Sequence, residues 1–263
     1  MNSSLPEIEA AAIRLRVAEE TGKACAPVRE MFANPDLATA YAIQAVNREH
    51  WLKNGRRIVG RKVALSARAA QKAMGLSEPA WGTLYADMLL GDGDEIPAGR
   101  IMQPRLEGEV AIVLERDLTM EKPTLVDVLR AVGYAVPAIE VVGCRIANLD
   151  TKPFDLLADN AGGGAFVLGS PARKLDGLDL RRLGMSMSVN GTQVAAGKGD
   201  MVYGNPLHAL AWLAGRLSME EMPLEAGDVI MTGTFFAMLP AKPGDHVEIV
   251  AEGLGRCEVS FGA

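Results

Sequence analysis

Three glutamates stand where strand-like patterns otherwise place apolar residues. In Leu106-Glu107-Gly108-Glu109-Val110-Ala111-Ile112-Val113-Leu114 the side chains alternate faces, so Glu107 and Glu109 point the same way. Gly108 removes bulk from the other face. In Val136-Pro137-Ala138-Ile139-Glu140-Val141-Val142 one glutamate interrupts an apolar run. Buried carboxylates are costly unless paired or coordinated, and two on one strand face repel each other. A divalent cation relieves both penalties. Carboxylate-only ligands suit hard ions such as Mg²⁺ or Mn²⁺, with positions left open for water or substrate. No His or Cys stands nearby to favour zinc. The same alternation also describes a half-exposed strand with a solvated glutamate face, and Glu-x-Glu alone does not choose between the two readings.

The elements that must carry these residues are legible in outline. Pro6 to Thr21 and Asp36 to Lys53 have apolar positions at helical spacing, separated by the Asn34-Pro35-Asp36 turn signal. After Gly55 the character changes. Strands are expected over Ile58 to Leu65, Leu106 to Leu114, Ala135 to Val142, Val229 to Thr232 and within His246 to Phe261. Helices are expected over Ala67 to Met74, over Thr124 to Val132 with Thr124 as N-cap, and over Pro206 to Leu217. Asn190-Gly191 marks a hairpin within Met185 to Val194. Strands and helices do not alternate in a clean series, so the expectation is α+β. A helical N-terminal region over 1–56 precedes a β-rich catalytic domain over 57–263.

Composition narrows the partners. The 263 residues are 49% hydrophobic and 23% charged, ordinary for a globular chain. A formal charge of −6 weakens nucleic-acid and anionic-membrane readings, which need a basic footprint. No apolar run approaches the length of a membrane span, and the Glu-bearing N-terminus does not read as a signal peptide. Cys25, Cys144 and Cys257 are an odd, widely spaced set, which fits a reduced, cytoplasmic setting.

Taken together, several segments carry a resemblance. These are Arg57-Ile58-Val59-Gly60-Arg61-Lys62-Val63, Trp81-Gly82-Thr83-Leu84-Tyr85-Ala86-Asp87-Met88, Gln103-Pro104-Arg105-Leu106-Glu107-Gly108-Glu109 and Pro137-Ala138-Ile139-Glu140-Val141-Val142-Gly143. Ala158-Asp159-Asn160-Ala161 and Pro240-Ala241-Lys242-Pro243-Gly244-Asp245 belong with them. The chain resembles the 2-keto-4-pentenoate hydratases of the fumarylacetoacetate hydrolase superfamily, enzymes of bacterial meta-cleavage pathways for aromatic compounds. The resemblance implies a mixed β-roll preceded by a helical region, and assembly into homo-oligomeric pentamers or decamers. It implies Glu107, Glu109 and Glu140 as ligands to Mg²⁺ or Mn²⁺, and Lys62 as a catalytic residue facing the substrate. It also brings Leu65, Ser66, Asp159, Asn160 and Thr234 toward the substrate.

The implied reaction is hydration of a 2-hydroxy-2,4-dienoate to a 4-hydroxy-2-oxo acid. The carboxylate and 2-oxygen of such a substrate can chelate a metal, which acts as Lewis acid. Decarboxylation of a 2-oxo-hexenedioate would use the same centre and needs an extra cation, for which Arg61, Arg105 and Arg145 are candidates. Some hydratase-like chains of the family pair with decarboxylases, so a decarboxylase partner and a non-catalytic role are further implications.

The chain departs from the family pattern in places. Ala80 stands where the family has an aspartate, and Ala64-Leu65-Ser66 follows the lysine where Gly-Leu-Thr/Ser is usual. Gly162-Gly163-Gly164 replaces a serine-bearing segment, Asn205 replaces a histidine, and Phe235-Phe236 occupies a small-residue segment, which suggests a changed pocket. The three glycines read as a flexible turn or as a nest of N–H groups for an anion. His208, beside Trp212, and Cys144 read as packing residues.

Overall fold

The computed structural model describes residues 4–263. Its first helix, α1, spans Leu5–Thr21, with Glu7 reaching back to accept from the Ser4 N–H at 2.8 Å. Asp36 caps α2 (Leu37–Lys53) by accepting from the Thr39 N–H at 2.7 Å, which satisfies one of the donors a helix start leaves open. Strand β1 (Ile58–Ala64), helix α3 (Arg68–Ala73) and strand β2 (Ala80–Tyr85) follow. Next come the short β3 (Leu89–Leu90) and β4 (Glu95–Ile96), and then the long β5 (Arg105–Leu114). Helix α4 (Leu125–Ala131), capped by Thr124, runs directly into β6 (Val132–Val142). Helix α5 (Pro153–Ala158), β7 (Ala165–Leu168), β8 (Gly184–Val189) and β9 (Thr192–Lys198) come next. Asn190 and Gly191, both with positive φ, make the β8–β9 turn, as the dipeptide requires. Helix α6 (Pro206–Met219), β10 (Val229–Thr234), β11 (Leu239–Pro240), β12 (His246–Ala251) and β13 (Gly255–Phe261) complete the chain.

The strands form two sheets. The larger runs β2-β1-β10-β5-β6-β7-β3 with β11 alongside β5, and it curls into a half-barrel. The smaller runs β4-β13-β12-β8-β9. Most pairs are antiparallel, but β1–β10, β3–β7 and β4–β13 are parallel. The α+β expectation, a mixed β-roll behind a helical N-terminal region, therefore holds. Among the described residues no helix is long and apolar enough to cross a membrane.

Register decides what lies inside the curl. Lys62 pairs with Gly82 and with Met231, Met231 with Ala111, and Glu107 with Glu140, which pairs in turn with Phe166. Directly paired residues share a face, so all of these line one surface of the large sheet. On that surface Leu84, Ala111, Val136, Ala138, Phe166 and Met231 pack as an apolar cluster. The alternate positions, including Leu106, Val110, Ile112, Ile139 and Ile230, join the main core with the second sheet and α6. A third cluster packs α1 and α2 against α5 and the start of β2.

The reading of the sequence passed over β2, β7 and α5 as elements. Each is short, and β2 is buried along its whole length, so it shows no alternation to read.

Candidate metal centre

Carboxylate oxygens of Glu107, Glu109 and Glu140 lie within 4.8 Å of one another. All three glutamates come from β5 and β6, so the grouping follows from strand register and involves no loop. Glu109 and Glu140 are buried, at 0% and 1% exposure, and Glu107 is half-buried. The opposite face at Gly108 is tightly filled. A Cβ there would come within 2.5 Å of the Phe236 ring and 3.0 Å of Met185 Sδ, so the glycine lets the core close behind the carboxylates.

The hydrogen bonding is half complete. Glu109 Oε2 accepts from the Gly233 N–H at 2.7 Å, while its Oε1 is buried without a partner. Glu140 Oε1 accepts from Lys62 Nζ, while its Oε2 is buried without a partner. A buried carboxylate oxygen left unsatisfied is a large cost. Two such oxygens among three clustered carboxylates fit a hard divalent cation, because coordination answers both the missing contacts and the repulsion. The solvated-face reading fails for Glu109 and Glu140.

Lys62 is 1% exposed. Its Nζ donates to Glu140 Oε1 and to the Ala161 carbonyl at 2.9 Å, which leaves a third N–H. Burial pushes the ammonium down, but the charges of Glu140, Glu107 and Glu109 outweigh it and hold the pKa above its ordinary value. Burial, and then the Glu140 charge, pushes Glu107 up to about 7. Burial with Glu140 and Glu107 raises Glu109 well above the usual carboxylate range, against the pull of the Gly233 N–H and Lys62.

The remaining residues expected at the substrate divide into two groups. Ser66 is buried with an unpartnered hydroxyl, and a Cβ on Gly233 would fall 2.2 Å from Ser66 Oγ. Ser66 therefore lies against the residue that donates to Glu109. Thr234 pairs with Glu109 in the sheet, but its hydroxyl donates to the Phe236 carbonyl at 2.8 Å. Leu65 is half-buried with φ 53°, just past the end of β1. Asp159 and Asn160 spend their side chains on the chain itself. Asp159 accepts from Arg145 Nε at 2.5 Å and from the Arg145 backbone N–H at 3.0 Å. Asn160 exchanges hydrogen bonds of 2.7 and 2.9 Å with the Thr83 backbone.

The departures noted in the sequence are placed as well. Phe235 and Phe236 pack in the main core rather than in a pocket. Gly162 and Gly164 are tightly packed rather than flexible: the Gly162 carbonyl accepts from the Gly143 N–H at 2.8 Å, and a Cβ on Gly164 would meet the Val141 carbonyl at 2.4 Å. Ala80 is buried and pairs with Ala64, two residues along the same face from the Lys62–Gly82 pair. Asn205 caps α6, accepting from the Leu207 N–H at 3.0 Å.

A profile of the family described as fumarylacetoacetate (FAA) hydrolase C-terminal matches residues 52–261. The chain is 43% identical to 2-keto-4-pentenoate hydratase 1 of Dechloromonas aromatica over 260 residues, 99% of each chain. It belongs to the 2-keto-4-pentenoate hydratase family. A second D. aromatica relative, 2-keto-4-pentenoate hydratase 2, is 42% identical over 99% of this chain and 100% of its own. Among solved structures, 4-oxalocrotonate decarboxylase from Pseudomonas putida G7, complexed with magnesium and adipate, superposes with a TM-score of 0.95 at 32% identity over 99% of both chains. By this kinship the chain is an enzyme of the hydro-lyase class.

Two contributors to this hydratase-family centre have no signal in the sequence. Both are backbone groups, the Ala161 carbonyl and the Gly233 N–H, and no side-chain pattern announces them. Arg145 was named as a candidate for a substrate carboxylate. It is instead locked by Asp159 and by the carbonyls of Asp159 (2.8 Å) and Gly163 (2.7 Å), and so fixes the segment that carries Ala161. Of the other two arginines, Arg61 alternates to the face away from Lys62. Arg105 shares the strand face of Glu107 and Glu109.

Proposed function

We propose that this enzyme hydrates a 2-hydroxy-2,4-dienoate to a 4-hydroxy-2-oxo acid in the breakdown of aromatic compounds, using Mg²⁺ or Mn²⁺. The observation that carries this reading is the group of three carboxylates with two unpartnered buried oxygens beside a buried lysine. It occurs in a chain 43% identical along nearly its whole length to a 2-keto-4-pentenoate hydratase. Magnesium in the decarboxylase structure supports a hard divalent ion.

A cation held by Glu107, Glu109 and Glu140 supplies Lewis-acid stabilisation of negative charge on the substrate's 2-oxygen. The chain's own residues do the rest. Lys62 keeps its proton because three carboxylates surround it, and its free N–H can donate to the 2-oxygen or the substrate carboxylate. The Ala161 carbonyl and Glu140 fix the direction of that N–H. Ser66, packed against Gly233, holds a buried hydroxyl with no other partner. Ketonisation of the dienol gives a conjugated enone. Water then forms a bond from its oxygen to C4, and its proton ends on C3. Leu84, Phe166 and Met231 pack as a buried apolar cluster on the same sheet face, which keeps the surroundings of the centre low in polarity.

Decarboxylation of a 2-oxo-hexenedioate is the second reading. The fold match to 4-oxalocrotonate decarboxylase and the placement of Arg105 on the face of Glu107 support it. One experiment separates the two. Freshly generated 2-hydroxypenta-2,4-dienoate is followed by loss of its ultraviolet absorbance with Mg²⁺, with Mn²⁺ and with EDTA, and the product is identified by NMR. Metal-dependent formation of 4-hydroxy-2-oxopentanoate is expected. No conversion by metal-loaded protein, together with carbon dioxide release from the dicarboxylate, would replace the hydratase reading with the second one.

A further inference from the structure

A cavity of about 90 Å³, partly open to solvent, lies between α1, α2, the 99–102 segment and the 158–164 segment. Neither Lys62 nor any of the three clustered glutamates lines it. Its charge runs against that of the protein. Five arginines, Arg16, Arg48, Arg56, Arg100 and Arg145, line it against two carboxylates, Glu19 and Asp159, in a chain of formal charge −6.

Two of the five are matched. Arg145 is held by Asp159. Arg56 lies 3.0 Å from Asp87 and 3.6 Å from Glu19, and stacks over the Tyr85 ring at 4.2 Å. The other three have no carboxylate partner among the described residues. Arg16 donates to Asn47 Oδ1 at 2.5 Å and Arg100 to the Asp87 carbonyl at 2.9 Å, both neutral acceptors, and among the described residues Arg48 makes no hydrogen bond or ion pair. Guanidinium groups gathered in a cleft with low-dielectric walls concentrate positive potential. Their planar donor forks match carboxylate and phosphate oxygens.

We propose that this cavity binds a small, multiply charged oxyanion, recognised by Arg16, Arg48 and Arg100, at a site separate from the metal centre. The inference is independent of the hydratase reading, because it uses none of that centre's ligands. The cavity adjoins the surroundings of the metal centre through the 158–164 segment, whose Gly163 carbonyl accepts from Arg145 while its Ala161 carbonyl accepts from Lys62, and through Tyr85 and Met88 of the apolar cluster that contains Leu84.

The test is isothermal titration of metal-stripped protein at constant ionic strength with citrate, pyrophosphate and acetate. Stripping the metal keeps the metal centre from capturing the anion. Saturable binding of citrate or pyrophosphate is expected, with none for acetate. Preference for citrate identifies a polycarboxylate site, and preference for pyrophosphate a phosphate site. The double variant Arg48→Ala with Arg100→Ala should bind about tenfold more weakly or worse, with an unchanged circular dichroism melt and unchanged Mg²⁺ affinity. Arg100→Ala alone, at an exposed position, should weaken binding in the same direction. Absence of saturable binding by either polyanion, or equal affinity in the folded double variant, would overturn the proposal.

Discussion

Glu107 and Glu140 stand directly opposite one another on antiparallel β5 and β6. Like charges so placed destabilise a sheet, and Lys62 reaches only one of them. The pair is therefore a built-in demand for further positive charge at that point in the register.

The first consequence concerns pH. Burial and the neighbouring charges raise Glu107 to about 7 and Glu109 well above its ordinary value in the metal-free protein. A carboxyl whose folded pKa is raised contributes stability that is complete below its unfolded pKa and lost as pH rises through the folded value. The Tm of EDTA-treated protein should therefore fall between about pH 5 and about pH 8. Protons and metal compete for the same oxygens, so the Tm gain on adding Mg²⁺ or Mn²⁺ should grow over the same interval. A metal-induced gain that is flat with pH would refute coordination by these glutamates.

Lys62→Met keeps the stem and removes the charge. Turnover should drop by about 10²–10⁴, the usual range for a lost proton donor, with a smaller change in KM. Steady-state kinetics on the dienoate checks this, and wild-type turnover would return Lys62 to a structural role.

Gly233 has φ +114°, and any Cβ there presses on Ser66 Oγ. Gly233→Ala should shift the N–H that holds Glu109 and weaken Mg²⁺ binding by about 10–100-fold, as lost outer-shell partners do. Calorimetric titration reads this directly, and unaltered affinity would show that the bond to Glu109 is dispensable.

Removing one member of a buried ion pair strands the other. Arg145→Met leaves the Asp159 carboxylate buried and should destabilise the protein by about 3–5 kcal/mol. The urea midpoint should fall with the slope unchanged. Retained stability would mean that the backbone bonds around Gly163 suffice to hold the segment.

Ala80 shares the strand face of Lys62. If the proton relay of the hydratase reaction uses a carboxylate at this position, Ala80→Asp should raise turnover of the simple dienoate. The absence of any gain would remove that idea.

The shared face of Glu107 and Glu109, and the oddness of Glu140 in an apolar run, were readable from period-two alternation; whether that face was solvated was not, and only the resemblance joined the three as ligands. The Asn190-Gly191 turn and the caps Asp36 and Thr124 follow from local chemistry. Lys62 was not readable from pattern alone, since one lysine in a strand looks like a surface residue until pairing with β10 and β2 turns it inward. Asp159, Asn160 and Phe235 show what sequence does not carry. The resemblance implied Asp159 and Asn160 at the substrate and Phe235 in a changed pocket, while the long-range contacts of these side chains, with Arg145, with the Thr83 backbone and with the core, follow only from the fold. Strand β2 escaped notice because burial on both faces erases the alternation a strand otherwise shows.

Two of the contacts that orient the charged groups, Ala161 O to Lys62 and Gly233 N–H to Glu109, come from the main chain. The genetic footprint of this centre is therefore smaller than its physical one. A saturation scan would mark Lys62 and the glutamates as intolerant. It would leave the carbonyl of residue 161 nearly invisible, because every amino acid supplies one. Position 161 would register only through its left-handed backbone, φ 52°, where β-branched residues and proline are disfavoured.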